Sequence, residues 1–439
     1  PCLQAVQQRL LRTPLQESKH CDCHSKADSM TGIVNALGPE ITYSICLHLP
    51  AVELLSATAT CSAWQHVMQV NASALWSALL KDKNIAPYYD SLTREPSART
   101  FKDCKRMSAR WRRGPPQALR SELTFVSFVR SVRVDFARNT MLVGLYSGQI
   151  QLARWNGTQE EFVGQPFASP HALQVLAIDF NLDADVCISG SGMPPWLAGQ
   201  PGVGQATNSL VKVHKISTMA CDFTLRGHTD SVNDVRLTSQ DAVFAITASR
   251  DSTMIVWDIR LGQKVRSLVG HTDAISKLSM IDDSDLVLSA SYDGSVREWN
   301  WQSGTCVRVV IQNIFPISAF HRHTSGTIVV GGRDGDLRLF GPDARCSNHE
   351  LTCICNIPTI TLDCMEVASL QHDGDKIVSV SRNGELNVCL FRGHPPSPGS
   401  HWAYRGLRMY VTSVSYSQAT LVSDGFDDEI TIWHFADGD

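Results

Sequence analysis

The chain has 439 residues and a mass of 48.3 kDa, more than one hydrophobic core usually organises, so two or three domains are expected. Hydrophobic residues at 43% and charged residues at 19% exclude wholesale disorder. A net charge of −4, from 39 Lys or Arg against 43 Asp or Glu, gives no electrostatic reason to expect a nucleic acid partner. The longest stretch without Asp, Glu, Lys or Arg, Leu54 to Leu80, is too rich in Ser, Thr, Asn, Gln and His to cross a bilayer, so no membrane partner is expected.

In chain order, Pro1 in place of Met suggests a processed or incomplete start, and Gln4, Gln7, Gln8, Arg9 and Arg12 interrupt any secretory apolar core. With no export signal, the 14 scattered cysteines are expected to stay reduced, in the cytosol or nucleus, and the sequons at Asn71 and Asn156 carry no consequence. Residues 1–30 read as a polar segment. Its Cys21-Asp22-Cys23-His24 lacks the second ligand pair that a zinc site needs.

Residues 31–80 read as a small all-α unit. Ile41, Ile45 and Leu49 recur at helical spacing before Pro50, and Leu54, Ala57, Cys61 and Trp64 mark one face of a second helix. Leu75, Trp76, Leu79 and Leu80 mark a third segment. So few residues bury little on their own, and the unit should lean on a neighbour or a partner. Residues 81–119 read as a basic helical linker, and Trp111 within it is expected to pack under the first β-rich repeat rather than on nucleic acid.

From 120 to the end, short β-rich runs alternate with Gly, Asp and Ser turns, and a repeat is visible. Gly227-His228-Thr229-Asp230 returns 43 residues later as Gly270-His271-Thr272-Asp273. Asp251 leads to Trp257 and Asp293 to Trp299, six residues on in both cases. Weaker copies run from Asp334 to Phe340, Asn383 to Cys389 and Asp427 to Trp433. Each copy opens on apolar residues at its first, fourth and sixth positions, as in Val232, Val235 and Leu237.

A period of this length with four short strands per unit predicts propeller blades, with third strands near 153, 213, 257, 299, 340, 389 and 433. That predicts a mainly β fold with seven blades. The long second step is assigned to a loop at 193–207, and the long sixth step to one at 395–399. The last repeat ends without an outer strand, so Leu123–Phe128 is expected to complete that blade.

These repeats resemble the WD-repeat family over 120–439. The resemblance implies two buried hydrogen-bonded tetrads, His228, Thr247, Asp251 and Trp257, then His271, Ser289, Asp293 and Trp299. A catalytic triad is the wrong interpretation of these groups, because they recur once per blade. Blades around 143, 330 and 389 depart from the pattern and are expected to pack differently.

Residues 31–80 resemble an F-box in Leu37-Gly38-Pro39-Glu40-Ile41, Ile45, Leu49, Glu53-Leu54-Leu55, Cys61-Ser62-Ala63-Trp64 and Leu75-Trp76. Ser108-Ala109-Arg110-Trp111-Arg112-Arg113-Gly114 looks like the linker of F-box/WD-repeat proteins. That family implies a non-catalytic substrate receptor of a Skp–cullin–F-box ubiquitin ligase. Its adaptor would bind Leu37, Pro39, Ile45, Leu49, Leu54, Leu55 and Trp64, and its propeller would hold a protein substrate, in some cases through a phosphorylated degron. The rival expectation is a WD-repeat scaffold not engaged in ubiquitination. No phosphate loop, nucleophile elbow, metal motif or cofactor signature is present in the sequence.

The residue preceding each turn acid should reach one rim of the disc: Tyr146, Gly192, Arg250, Tyr292, Arg333, Arg382 and Phe426. Of these, Arg250, Tyr292, Arg333 and Arg382 are the predicted substrate-binding residues, since guanidinium groups hold phosphate through paired hydrogen bonds.

Overall fold

The computed structural model describes residues 120–434 apart from stretches between strands, the longest being 194–208. The expected F-box unit, its adaptor-binding positions from Leu37 to Trp64 and the basic linker lie outside the described residues. So does Phe426.

Among the described residues, seven four-stranded antiparallel sheets follow one another around a ring. This is a seven-bladed propeller. Blade 3 shows how the sequence makes a blade. Its inner strand Val232–Leu237 pairs with Phe244–Ser249, which pairs with Thr253–Asp258, which pairs with the outer strand Gln263–Val269. The second and third strands are covered on both sheet faces by neighbouring blades, so they run as near-continuous apolar segments with Ala245, Ile246, Ala248, Met254, Ile255 and Val256 buried. The outer strand is largely exposed and carries Gln263, Lys264 and Arg266.

The first, fourth and sixth apolar spacing has a definite cause. The register of six of the seven described inner strands slips by one residue near its start, between Val129 and Ser131, Val175 and Ala177, Val232 and Asp234, Ile275 and Lys277, Ile317 and Ala319, and Val367 and Ser369. Such a bulge places the first, fourth and sixth residues on one face where strict alternation would not. Val232, Val235 and Leu237 therefore enter the same core cluster as Trp257.

Two further sequence choices let blades close up. The turn between second and third strands needs a positive φ, supplied by Gly148, Gly294, Gly335 and Gly384 at φ 82–87°. Where blades meet, Gly144, Gly190 and Gly331 lie against Val175, Val232 and Val367 of the next inner strand, so closely that a Cβ would collide with them.

Side chains of each inner strand also reach the backbone of the neighbouring one. Ser131 donates to the Val175 carbonyl at 3.1 Å, Asn233 to Ile275 at 2.8 Å, Ser276 to Ile317 at 2.8 Å, Ser318 to Val367 at 2.7 Å and Thr412 to Arg130 at 3.0 Å. Asp179 accepts from the Leu237 N–H at 2.9 Å, and Gln371 accepts from Tyr416 at 2.8 Å. All seven junctions are thus linked around the channel.

The ring closes through its first strand. Arg120–Thr124 pairs antiparallel with Glu429–His434, Leu123 facing Ile430 and Arg120 facing Trp433. The closing strand therefore begins three residues before the expected Leu123 and stops at Thr124. One of the two expected inserts falls elsewhere. The strands flanking 193–207, Val186–Gly192 and Val211–Lys215, stay paired, so that insert leaves its blade intact. The segment at 395–399 is not a loop throughout, because the outer strand Ser397–Arg405 starts inside it, with Pro398 opposite Phe391. An outer edge strand has no ladder partner on one side and tolerates proline there. The extra length of the sixth step instead separates Leu337–Pro342 from Leu351–Ile357, and that strand from Val367–His372.

Candidate binding site at the channel mouth

The two tetrads are built as chains of polar groups under the blades. His228 Nδ1 lies 2.9 Å from Asp251 Oδ2, its Nε2 lies 2.7 Å from Thr247 Oγ1, and the Trp257 indole N–H donates to that oxygen at 2.9 Å. In the next blade the corresponding distances are 2.7 Å for His271 to Asp293, 2.7 Å for His271 to Ser289 and 2.9 Å for Trp299 to Ser289. A carboxylate at Nδ1 selects the Nδ1–H tautomer, so Nε2 accepts the hydroxyl proton and the hydroxyl oxygen accepts the indole N–H.

Each acid also ties two loops. Asp251 accepts the Thr229 N–H and the Thr253 N–H and hydroxyl, and Asp293 does the same with Thr272 and Ser295. Burial raises the Asp293 carboxyl, but bonds from Ser295 and His271 outweigh it and bring it down to about 2. Burial lowers His271 more than Asp293 raises it, keeping the imidazole neutral. These groups hold the turns from which the rim residues project.

A reduced relay occurs in blade 2, where His171 Nε2 lies 2.8 Å from Ser189 Oγ without a Trp or Asp completing it. Its signal in the sequence is a His 18 residues before a buried Ser, the same separation as His271 to Ser289. In blade 5, Asp334 pairs instead with Arg338, whose guanidinium stacks over Phe315 at 5.1 Å.

The rim positions are equivalent in the backbone. The N–H groups of Tyr146, Arg250, Tyr292, Arg333 and Arg382 donate to the carbonyls of Phe128, Ser231, Ala274, Pro316 and Glu366, at 2.7–3.1 Å. Each acceptor immediately precedes the first apolar residue of its inner strand, so these rim residues all stand at the same end of the channel. Arg250, Tyr292, Arg333 and Arg382 line that channel, which has a volume of about 770 Å³. At Gly192, the neighbouring Met193 lines it instead. Exposed Phe128, Tyr146 and Phe315 add aromatic surface at this end, with Phe128 and Tyr146 in edge-to-face contact at 6.3 Å.

The four predicted substrate-binding residues are not alike. Arg382 Nε is 2.8 Å from Glu366 Oε2, and the Tyr292 hydroxyl donates to Glu366 Oε1 at 2.8 Å. Burial, the Glu366 charge and the hydrogen bond raise the Tyr292 phenol well above its ordinary value. Arg382 therefore already holds a carboxylate, unlike the free anion-binding guanidinium expected from the turn position. Arg250 and Arg333 have no side-chain ion pair among the described residues and remain available. Sequence reasoning missed Glu366 and Arg130. Both flank the first apolar residue of an inner strand, Val367 and Val129, and that adjacency is the signal that would have found them. Burial lowers Arg130 to about 10, against the raising influence of Asp424.

The family model described as "WD domain, G-beta repeat" matches residues 219–258 and 262–300. Each match begins with the outer strand of one blade and continues through three strands of the next. The sequence repeat and the structural blade are thus offset by one strand, which is why the first strand must complete the last blade. Among similar proteins, a DENN domain and WD repeat-containing protein SCD1 of Arabidopsis thaliana is 31% identical over 37% of this chain and 13% of its own length. A WD repeat-containing protein 26 homolog of Arabidopsis thaliana is 23% identical over 51% of this chain and 44% of its own. The small ribosomal subunit protein RACK1 of Caenorhabditis elegans is 34% identical over 20% of this chain and 30% of its own. The chain covers less than half the length of each. The two matched repeats, these relatives and the seven blades together support placing the chain in a WD-repeat family, with a propeller suited to binding protein.

Proposed function

We propose that the chain is the substrate-recognition subunit of a Skp–cullin–F-box ubiquitin ligase, working in the cytosol or nucleus. The F-box-like residues Leu37, Pro39, Ile45, Leu49, Leu54, Leu55 and Trp64 dock the adaptor, and the propeller receives a protein substrate at the channel mouth. The observation that carries the substrate half of this reading is the pair of unpaired guanidinium groups, Arg250 and Arg333, beside exposed Phe128, Tyr146 and Phe315. Arginine and aromatic side chains dominate binding hot spots, and a guanidinium fork suits a phosphorylated degron. The adaptor half is supported by the order of F-box-like sequence, Trp-Arg linker and propeller. The chain supplies proximity rather than chemistry, and ubiquitin transfer belongs to its partners.

Co-purification tests this directly. A receptor brings down adaptor and cullin together, and Leu54→Ala with Leu55→Ala abolishes both while leaving the propeller folded, since truncating central anchors typically costs over about 2 kcal/mol. Adaptor capture unchanged in that double variant removes the F-box assignment. Recovery of neither partner leaves a WD-repeat scaffold.

A further inference from the structure

Below the rim, the channel walls carry an unbalanced set of charges. Seven Lys or Arg side chains line it against three Asp or Glu. The lining carboxylates Asp234, Asp273 and Glu366 are all engaged, Asp273 by the Ala274 N–H at 2.6 Å, and so are Asp179 and Asp424 beside its lining cations. Asp179 pairs with Arg133 at 2.9 Å, and Asp234 accepts the Leu278 N–H at 2.8 Å and faces Arg236 at 3.3 Å. Asp424 accepts from both Thr412 and Ser413, and Glu366 is held by Arg382 and Tyr292. Lys277 is different. It sits on the inner strand Ile275–Met280 and lines the channel, yet its ammonium makes no hydrogen bond or ion pair with any described residue. Above it, Arg250 and Arg333 are unpaired in the same way.

We propose that the channel is a binding site for a compact polyanion carrying at least two phosphate groups, with Lys277 as its deep contact and Arg250 and Arg333 as its contacts at the mouth. A half-buried ammonium without a partner is unfavourable, and burial pushes Lys277 below its ordinary value despite the nearby Asp234 and Asp424 charges. A bound anion would restore the missing interaction. Three cations at two depths call for more than one phosphate, and about 770 Å³ accommodates a small organic polyphosphate. The same chemistry could arrive free or on adjacent phosphorylated side chains of a protein. The site shares Arg250 and Arg333 with the substrate half of the proposed function and deepens it, but uses none of the F-box-like residues before 120.

The test uses the full chain at fixed ionic strength. Inorganic tripolyphosphate is titrated by calorimetry into the parent, Lys277→Met and Lys264→Met, the last replacing an exposed lysine of an outer strand. The parent and Lys264→Met should bind saturably, and Lys277→Met about tenfold more weakly, the loss of one charge-assisted contact. Lys277→Met should also melt no lower than the parent without ligand, because it removes an uncompensated charge, and this separates lost binding from lost fold. A short glycine-flanked peptide carrying two adjacent phosphoserines forms the second arm. A loss at Lys277→Met with both ligands sustains the proposal and allows the phosphates to be on a protein. A loss with tripolyphosphate alone sustains it and assigns a free small molecule. No saturable binding of tripolyphosphate by the parent, or equal binding by Lys277→Met, overturns it, while the adaptor half of the ligase reading is decided separately by co-purification.

Discussion

Ser289→Ala isolates what the buried relay contributes. Ser289 is fully buried, and its single oxygen serves two neighbours, the Trp299 indole N–H at 2.9 Å and His271 Nε2 at 2.7 Å. Alanine leaves almost no void, so packing changes little. What remains is one donor and one acceptor without partners, at about 1–3 kcal/mol each. A loss of about 2–6 kcal/mol is expected. At about 2.1 cal/mol/K per residue, a propeller of roughly 320 residues loses about 4 °C in Tm for 3 kcal/mol. Urea unfolding followed by tryptophan fluorescence reads the loss directly. Adding Trp299→Phe removes the orphaned donor, so the double variant should be about 1–2 kcal/mol more stable than the sum of the singles. A Ser289→Ala chain within about 0.5 kcal/mol of the parent, or strict additivity with Trp299→Phe, would refute the argument that the relay is a satisfied network.

Ser252 occupies the turn position that other blades fill with glycine and has φ +66°, so Ser252→Gly should stabilise by up to about 1 kcal/mol; a lower urea midpoint counts against this. Burial holds His171 and His321 down to about 3 and His214 and His372 to about 4, so all four stay neutral in the fold. The unfolded chain takes up those protons first, and stability should fall as pH drops below about 6.5, at up to about 1.4 kcal/mol per unit for each histidine until pH 3–4. Constant or rising stability between pH 7 and 5 would exclude this, and His171→Gln should shallow the slope. Arg250→Ala and Arg333→Ala should each weaken capture of an identified substrate by about tenfold to a hundredfold. Arg382→Ala should do as much by leaving Glu366 without its guanidinium, and parental affinity in all three variants would place the site elsewhere.

The architecture was legible because its constraints repeat. Bulged inner strands, turn glycines and the Asp-to-Trp interval recur, so a blade obscured in one copy shows in another. Blade 2 was harder to read. Its relay keeps only His171 and Ser189, with His214, opposite Cys187, where another blade places its Trp, and a His and a Ser 18 residues apart do not stand out without the Asp and Trp. The channel was least legible. Lys277, Asp234, Arg133 and Asp424 belong to four different blades and interact across the axis, a proximity produced by ring closure and by no interval along the chain. The place of Glu366 beside Val367 was there to be read, but its engagement with Tyr292, 74 residues away, was not.

That closure also has a kinetic side. The pairing of Arg120–Thr124 with Glu429–His434 joins segments about 310 residues apart, and closing so long a loop costs about 5 kcal/mol of chain entropy before any ladder bond forms. During synthesis the first strand must wait, unpaired, until the last blade is made. For that interval the third strand of the seventh blade lacks its outer neighbour, and the junction between the first and last blades is open. Both are surfaces on which another strand could pair. The feature that leaves the finished ring without a seam thus makes its assembly an end-dependent step, the stage of the protein's life most exposed to misassembly and most in need of protection.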